Sequence, residues 1–532
     1  MRPLLLLVLL LAACRPAAVQ GNHAPGSVRF NLSADPANLN PLFTHPDAAS
    51  VELQMARLLF EPFIDLDPAG HGVPALLATI PTTENGGISA DGRTLTFRLR
   101  PGVRWSDGVA VSSRDVLFTL HAILDPRNPV RSREGYDLID RATAPTPLTV
   151  VLHLKRRWAP AATTFFSYGS EAQFVLPAHV LAKYASLAQA SFNGAPAVGD
   201  GPYRFEAWSR GDRIAYVANP AYWRGAPQVA RLDVHIVPDP ATNLAELGSG
   251  ELDWNLVAPV QQYGLRGQRG LAYRYVSTAT IAGIAVNLRH TPLGDVRVRR
   301  AIAMSIDRNA ISAKITFGRY PVADSAQPRF SWAYDPAVRE PAYDPARADT
   351  LLDAAGWRRD AGGWRKRGNV PLALTYVQFP ESTTGVRAAT MIQAWLRARG
   401  IDLTVKSISN AQLFQPRIGT LARGDFDLAY IPWTFGADPD DSALLTCAGA
   451  ENVMGYCNRD VDRLEAAALD STSRAPRKAL YARIARTIAN ELPIVYLFNA
   501  TYIYAYRPQL HGFSPNAFLP TWNAGSWSLM SP

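Results

Sequence analysis

An apolar run followed by a helical repeat lies near the middle of the chain. Residues 281–288 are almost all apolar and too few for an ordinary helix, which is typical of a strand buried on both faces. A turn at residues 291–294 leads to Asp295, a residue type that caps helices. Apolar residues then recur at helical spacing, at Val298, Ala301, Ile302 and Ile306. The pattern predicts a crossing between two halves of the protein; a strand and helix inside one domain are the alternative.

Short apolar runs alternate with amphipathic repeats between residues 372 and 433. The predicted elements are strands at 372–379, 401–408 and 426–433, with helices at 386–399 and 411–422. This β-α-β-α-β order requires a parallel sheet with right-handed crossovers. Ligands of such sheets bind beyond the carboxyl ends of the strands, so we expect a cleft at that edge.

Aromatic residues follow two of these predicted strands. Phe379 ends the first strand, and the loop after the third is Trp433, Thr434, Phe435 and Gly436. We expect these residues to share one rim of the cleft and to contact a ligand. Aromatic residues at strand ends also pack into cores, and that interpretation stays open here.

Outside residues 281–306 and 372–433, the hydrophobic patterns that predict helices and strands are shorter. A helix is expected from Ser112 or Ser113 to Leu124, and a second one is capped by Asp344 and ended by Gly356. The last predicted strand covers only residues 494–498.

The bulk composition is that of a globular protein. The 532 residues are 48% apolar and 19% charged, which suggests roughly two to four domain-sized units. The net charge of +9 comes from arginine, since lysine occurs six times, and the basic residues are scattered. A nucleic-acid face would need a sustained basic stripe, so no nucleic-acid partner is expected.

The N-terminus has the pattern of an export signal. An arginine precedes an apolar segment at residues 4–11, which is too short to span a membrane. The sequence Leu-Ala-Ala-Cys that ends at Cys14 matches the bacterial lipobox, and this likeness implies cleavage before Cys14 and lipidation of its thiol. A plain secretory signal is the alternative. We expect an exported protein whose only hold on a membrane is lipid.

Cys447 and Cys457 remain after Cys14 is assigned. A pair of cysteines in an exported protein predicts a disulfide, and a metal-binding pair is the weaker alternative because there is no CxxC spacing. The histidines are isolated, and neither an HExxH motif nor a GxSxG motif occurs. The sequence therefore predicts no cofactor, no dedicated metal site and no local catalytic motif.

Several phrases of the chain resemble the family 5 extracellular solute-binding proteins, the dipeptide, oligopeptide and nickel-binding lipoproteins of ABC importers. They are DPANLNP, DGRTLTFRLRPGVRWSDGVAVSSRDV, VGDGPYRFEAW, NPAYW, GIAVNL, DVRVRRAIAMSIDR, YDPARADTLLDAAGW and FDLAYIPWTFGADPD, in family order along nearly the whole mature chain. The resemblance implies an α/β fold with two lobes of the periplasmic-binding-protein type II, or Venus-flytrap, architecture.

The resemblance also implies a division of the chain. Residues 1–13 would be the signal peptide and 14–25 a lipidated tether. The first lobe would comprise residues 26–276, with an extra subdomain at about 56–197, and would regain residues 496–532. The second lobe would comprise residues 277–495.

The implied function is capture rather than catalysis. A monomer would bind a peptide or other small solute between its lobes, close by hinge bending, and deliver it to ABC permease subunits in the inner membrane, from the periplasm or cell envelope. Binding of nickel or a metallophore stays open. The alternatives are an exported peptide hydrolase and a lipoprotein sensor or scaffold without transport.

Two departures from the family pattern concern the ligand. The dipeptide and oligopeptide-binding members that this chain resembles have an Asp four residues before the proline of the DP turn, and this Asp holds the α-ammonium of the bound peptide. This chain has Phe435 at that position. Dipeptide-binding members place an Arg for the carboxylate where this chain has Phe379. A buried ammonium without a carboxylate is strongly disfavoured. We therefore expect a longer, modified or more apolar solute.

Two polar residues complete the predicted site. Asp438 could restore an ammonium contact if its loop shifts, although Asp438-Pro439 is also a common turn former. Asn287, just after the central strand, could bridge the two lobes through its amide.

Overall fold

A computed structural model describes residues 26–43, 49–130, 132–168 and 172–530 of the protein. Cys14 and the predicted signal peptide lie outside these residues. Ten strands form one sheet. In chain order they are β1 (Ser27–Leu32), β2 (Tyr203–Ser209), β3 (Arg213–Ala218), β4 (Arg231–Ile236), β5 (Trp254–Val257), β6 (Ala272–Val286), β7 (Ala373–Gln378), β8 (Asp402–Ser407), β9 (Leu428–Thr434) and β10 (Ile494–Tyr506). Across the sheet the order is β8-β7-β9-β6-β10-β5-β1-β4-β3-β2.

Short strands, fifteen α-helices and four 3₁₀ helices make up the rest of the regular structure within the described residues. The 3₁₀ helices are Tyr136–Leu138, Leu187–Gln189, Ser191–Asn193 and Ala524–Ser526. The short strands are Ile64–Leu66, Gly72–Pro74, Thr94–Arg98, Ile139–Thr146, Thr149–Leu154, Arg358–Arg359, Arg365–Arg367, Val370–Pro371, Leu510–His511 and Ser528–Leu529. The helices are Ala49–Leu59, Ser113–Leu124, Ala161–Thr164, Ala178–Leu181, Pro240–Ser249, Pro259–Gly264, Val296–Ser305, Arg308–Ile315, Pro345–Ala354, Thr383–Ala398, Asn410–Phe414, Thr420–Arg423, Ser442–Leu445, Arg459–Asp470 and Arg474–Glu491.

The apolar side chains separate into two large cores. The first core is built from residues between 28 and 236 together with Trp254, Val276 and side chains between 504 and 527. The second core is built from residues between 281 and 498. We call the residues packed around them the first lobe and the second lobe.

Strands β6 and β10 run through both lobes side by side. They pair antiparallel from Ala272 opposite Tyr506 to Ala285 opposite Ile494. Val276 belongs to the first core and Ile281 to the second, so the chain passes from one core to the other within five residues of a single strand. The crossing predicted at the central apolar run is therefore part of a longer strand.

The order predicted for residues 372–433 is confirmed. Strand β7 pairs parallel with both β8 and β9, so the carboxyl ends of all three lie at one edge of the sheet. Helix Pro345–Ala354 begins as expected, because the Asp344 side chain accepts a hydrogen bond from the backbone of Arg347.

Two predicted elements were wrong in extent. The helix expected at residues 411–422 is two short helices, Asn410–Phe414 and Thr420–Arg423. Pro416 lacks an N–H group and forces the preceding Gln415 out of helical geometry, at φ −56° and ψ 123°. The strand expected at 494–498 continues to Tyr506, because its later residues pair with β5 and β6.

Cys447 and Cys457 form a disulfide, as predicted. Within the described ranges, none of the helices combines the length and the apolar character needed to cross a bilayer.

Candidate functional site

A cavity of about 310 Å³ lies between the two lobes. The first lobe contributes the segment around Glu134 and Asp137, together with Arg156 and Trp158. The second lobe contributes the loop after β9 and the start of the following helix, from Trp433 to Leu444. The cavity therefore lies beyond the carboxyl end of β9, at the edge of the sheet where the sequence predicts a ligand.

Five predicted site residues line this cavity: Trp433, Thr434, Phe435, Gly436 and Asp438. Strand β9 presents this loop because it ends at Thr434, whose hydroxyl lies 2.9 Å from that of Thr280 on β6. The backbone N–H of Phe435 donates to the carbonyl of Ala279 at 3.1 Å. The loop is thus anchored to the strand that joins the lobes.

Phe379 does not line the cavity. Its side chain is 6% exposed and packs in the second core, with the rings of Phe414 and Tyr430 each 5.8 Å away. Its contact with a ligand therefore stays a prediction that this cavity does not support.

Asn287 does not bridge the lobes. It is fully buried, and its amide nitrogen donates to the carbonyls of Gly424 and Phe426 at 3.0 and 2.9 Å. Both partners belong to the second lobe, so the amide ties the end of β6 to the segment before β9.

Asp438 lines the cavity but already has a partner. Both of its oxygens accept hydrogen bonds from Arg477, at 2.8 and 2.6 Å, and both side chains are nearly buried. A bidentate pair of this kind is among the strongest side-chain interactions. With the loop in this position both oxygens of Asp438 are taken by Arg477, and the ammonium contact expected after a shift of the loop stays a prediction.

Two acidic residues that directly follow Asp438 and Pro439 were not predicted from the sequence. Asp440 and Asp441 both line the cavity, and Asp441 is 4% exposed. Burial raises the pKa of Asp440 to about 6. The charges of Asp438 and Asp441 add to this rise, and hydrogen bonds from Ser442 oppose it. Burial likewise raises the pKa of Asp441.

Glu465, on helix Arg459–Asp470, lies behind Asp441 and is 1% exposed. Burial first, and then the charge of Asp441, raise the pKa of Glu465 well above its usual range. Gln327 donates to Oδ2 of Asp441 at 3.1 Å. A side-chain hydrogen bond also joins Glu465 to Asp441, and its effect on the two pKa values favours the shared proton on Glu465.

Acidic residues outnumber basic ones on the wall of the cavity. Six of its lining residues are acidic and one is basic: Glu134, Asp137, Asp438, Asp440, Asp441 and Glu451, against Arg156. The protein as a whole carries a net charge of +9. The cluster of acids at residues 438–441 is visible in the sequence as DPDD, but its meeting with residues 134–137 depends on the tertiary fold.

The lobes touch at the rim of this cavity. The backbone N–H of Ala159 donates to the carbonyl of Leu469 at 2.7 Å, and Arg157 reaches both the carbonyl and the carboxylate of Asp470. Nearby, the N–H of Ala437 donates to the carbonyl of Tyr168 at 3.2 Å. Contacts of this kind can form only when the lobes are close together.

No metal centre accompanies the cavity in the described residues, where no three His, Cys, Asp or Glu side chains are arranged to hold an ion. The cysteines at 447 and 457 are used by their disulfide.

Comparison with known proteins gives consistent results. Residues 74–455 match the model of the bacterial extracellular solute-binding proteins, family 5. The chain is 29% identical to Di/tripeptide-binding protein 2 of Pseudomonas aeruginosa, over 95% of each chain. It is 22% identical to the oligopeptide-binding protein AppA of Bacillus subtilis, over 99% of this chain and 97% of that protein.

Solved structures share the fold. NikA from Brucella suis, crystallised with Fe(III)-EDTA, superposes with a TM-score of 0.83 at 22% identity and covers 95% of this chain and all of its own. AppA from Bacillus subtilis with a nonapeptide has a TM-score of 0.77 at 21% identity, over 95% of this chain and 99% of its own. The two-lobe fold expected from the sequence is thus confirmed, and the chain belongs to family 5 of the bacterial extracellular solute-binding proteins.

Proposed function

We propose that the protein captures a peptide or a related small solute in the cavity between its lobes and delivers it to the permease of an ABC importer. The observation that carries this proposal is the cavity itself, because both lobes supply its walls and direct contacts close its rim. The names of the relatives, which bind dipeptides, tripeptides or oligopeptides, support a peptide as the solute.

Capture follows from population shift. A solute that touches Trp158 on one wall and Trp433 on the other interacts fully only with the closed form, so it stabilises that form. No covalent step is needed, and the protein is not an enzyme in this proposal. The energy for transport comes from other subunits of the importer.

The solute is not an ordinary free dipeptide held in the manner of the peptide-binding relatives. Phe435 lines the cavity at the position of the missing Asp, and Asp438 is occupied by Arg477. Neither residue offers a free carboxylate to an α-ammonium group. Longer or chemically modified peptides satisfy the site better.

Cys14 anchors the protein by lipid in this proposal. Replacement of Cys14 by Ser should move the protein from the membrane fraction to the soluble fraction of the cell envelope. If the protein stayed with the membrane after this change, the lipid anchor would be refuted.

Small-angle scattering and calorimetry together test the proposed capture. A mixture of tripeptides should reduce the radius of gyration, and the members that do so should bind with a measurable heat. The same peptides should enter cells only when the permease is intact. Micromolar binding of unmodified dipeptides would refute the expectation about their exclusion, and peptide cleavage would indicate a hydrolase.

A further inference from the structure

A second set of contacts joins the two lobes outside the cavity. Nε of Arg319 donates a hydrogen bond to Oε1 of Gln262 at 3.0 Å. The rings of Tyr263 and Phe317 are stacked, with their centroids 4.8 Å apart and their planes at 17°. None of these four residues lines the cavity, so the contacts do not depend on a solute bound there.

Gln262 and Tyr263 lie on helix Pro259–Gly264 of the first lobe. Residues just before and just after this helix pack in a small apolar cluster with Ile503 and Ala505 of β10. On this strand the two residues alternate with Tyr504 of the first core, so the small cluster lies on the opposite face of the sheet. The helix is therefore fixed to the first lobe on the side away from its main core.

The amide of Gln262 is buried and is used at both of its ends. Its side chain is 5% exposed, and its Nε2 donates to the hydroxyl of Tyr275 at 2.8 Å while its Oε1 accepts from Arg319. The guanidinium of Arg319 also lies over the ring of Tyr275, 4.7 Å from the centroid. Tyr275 stands on β6 two residues before Ser277, where the pairing with β10 is interrupted. The contact is thus built next to the crossing between the lobes.

The partner segment of the second lobe is a turn held in an unfavourable conformation. Phe317 has φ +53°, in the left-handed region that bulky residues rarely adopt. The turn is fixed from below, because the buried hydroxyl of Thr316 donates to the carbonyl of Ser312 at 2.8 Å and accepts from the N–H of Tyr320 at 3.1 Å. Strain that the surroundings maintain points to a role for the position of the strained residue.

Core packing does not explain this ring pair. The side chain of Tyr263 is 51% exposed, so its stack on Phe317 removes little apolar area from water. The pair instead connects two bodies that the interrupted strands leave free to rotate. Contacts of this kind bias the rotation when only one arrangement of the lobes makes them.

We infer that Gln262, Tyr263, Phe317 and Arg319 form a latch that favours the closed arrangement of the lobes before a solute enters. The inference concerns the control of the proposed capture and rests on it. The latch adds to the contacts at the rim of the cavity, and it consists of one hydrogen bond and one ring pair, so the solute-free protein still opens. A larger closed fraction leaves less of the binding free energy to be spent on closure, which tightens the apparent affinity for the solute.

The distance between two spin labels, measured without any solute, tests the latch. The labels are attached at Arg127→Cys in the first lobe and Arg459→Cys in the second, in a Cys14→Ser background; the native side chains are 68% and 78% exposed. Double electron–electron resonance should show a short and a long distance in the otherwise unchanged protein. Arg319→Met should raise the ratio of the long to the short population about fivefold, as expected for one hydrogen bond made only in the closed form.

Phe317→Asn separates the latch from a structural role. Asn lacks the ring but tolerates the left-handed region, so the variant should favour the long distance without any fall in the midpoint of thermal unfolding. The control is Arg397→Met, which removes a guanidinium that lies over Trp364 within the second lobe and should leave both populations unchanged.

The outcomes are decisive because no solute is present. Unchanged populations in Arg319→Met and Phe317→Asn, or a shift towards the short distance, would overturn the latch and leave the proposed capture standing. A single long distance before any latch residue is replaced would also overturn it, since no closed form would then exist without solute. Failure of peptides to bind in calorimetry would refute the proposed capture, whatever the distances show.

Discussion

Two groups of buried carboxylates, one in each lobe, differ in how their charge is balanced. In the first lobe, Arg57 donates to Glu61 at 3.0 Å and to Asp65 at 2.8 and 3.1 Å. Tyr168 and Tyr222 donate to the same two carboxylates. In the second lobe, no ion pair of the described residues reaches Asp440, Asp441 or Glu465, and Glu465 is hydrogen-bonded to Asp441 instead. A guanidinium balances the first group, whereas raised pKa values and a shared proton reduce the charge of the second.

The largest expected effect is the loss of stability when the ion pairs of the first group are broken. Arg57→Met leaves Glu61 and Asp65 buried without their guanidinium, which should lower the free energy of unfolding by about 3–5 kcal/mol. Urea denaturation followed by circular dichroism measures this change. The control is Arg127→Met, which breaks an exposed pair with Asp125 and should leave the free energy of unfolding nearly unchanged. Equal losses for the two variants would contradict the contrast.

The second effect is a dependence of stability on pH. The pKa of Asp440 is about 6 in the folded protein, mainly through burial, against 3.8 as its ordinary value. Between these values the folded state holds a proton that the unfolded state has lost, so the stabilisation is complete below about pH 4 and is lost as pH rises through 6.

Comparison of the wild type with Asp440→Asn isolates this contribution. The stability of the wild type relative to the variant should fall by an amount on the order of 2 kcal/mol between pH 4 and pH 7. Asp125→Asn is a control of opposite sign, because hydrogen bonds from Arg127 lower the pKa of Asp125. A constant difference for Asp440→Asn across this range would show that burial does not perturb the carboxyl.

The smallest expected effect comes from replacing one Glu by Gln in each of the two groups. Glu465→Gln replaces a carboxyl of raised pKa by a neutral amide whose N–H₂ group can donate to Asp441 at every pH, so we expect the free energy of unfolding at pH 7.5 to rise by about 1 kcal/mol. Glu61→Gln should lower it, because Arg57 loses a charged partner. Thermal unfolding of both variants checks the two signs, and two changes of the same sign would remove the distinction between the groups.

Local signals in the sequence predicted much of the fold. Asp344 and Pro345 marked a helix start that the structure reproduces, because a cap acts through neighbouring residues only. The period of apolar residues likewise located β7 and β9. It could not show that β10 continues to Tyr506, since those residues are strands only through pairing with β5 and β6.

The candidate site was predictable on one wall only. The loop from Trp433 to Gly436 follows a strand whose place in the sheet the alternation predicted. Phe379 looked equivalent, but its ring packs against Phe414 and does not line the cavity, and no local pattern shows which of two strand ends will do so. The acids at 440 and 441 were not predicted as site residues, because their burial depends on Gln327 and on helices far along the chain.

The irregularity in the pair of central strands has a mechanical consequence. Ser277 stands opposite Thr501 and Ile281 opposite Asn499, so residues 278–280 face a single residue and the ladder is interrupted there. Rotation at this interruption would break few bonds between the strands, since few exist to be broken. The free energy of opening would then come mainly from breaking the contacts at the rim of the cavity, such as those of Arg157 with Asp470. A solute bound in the cavity would determine how long the lobes stay closed.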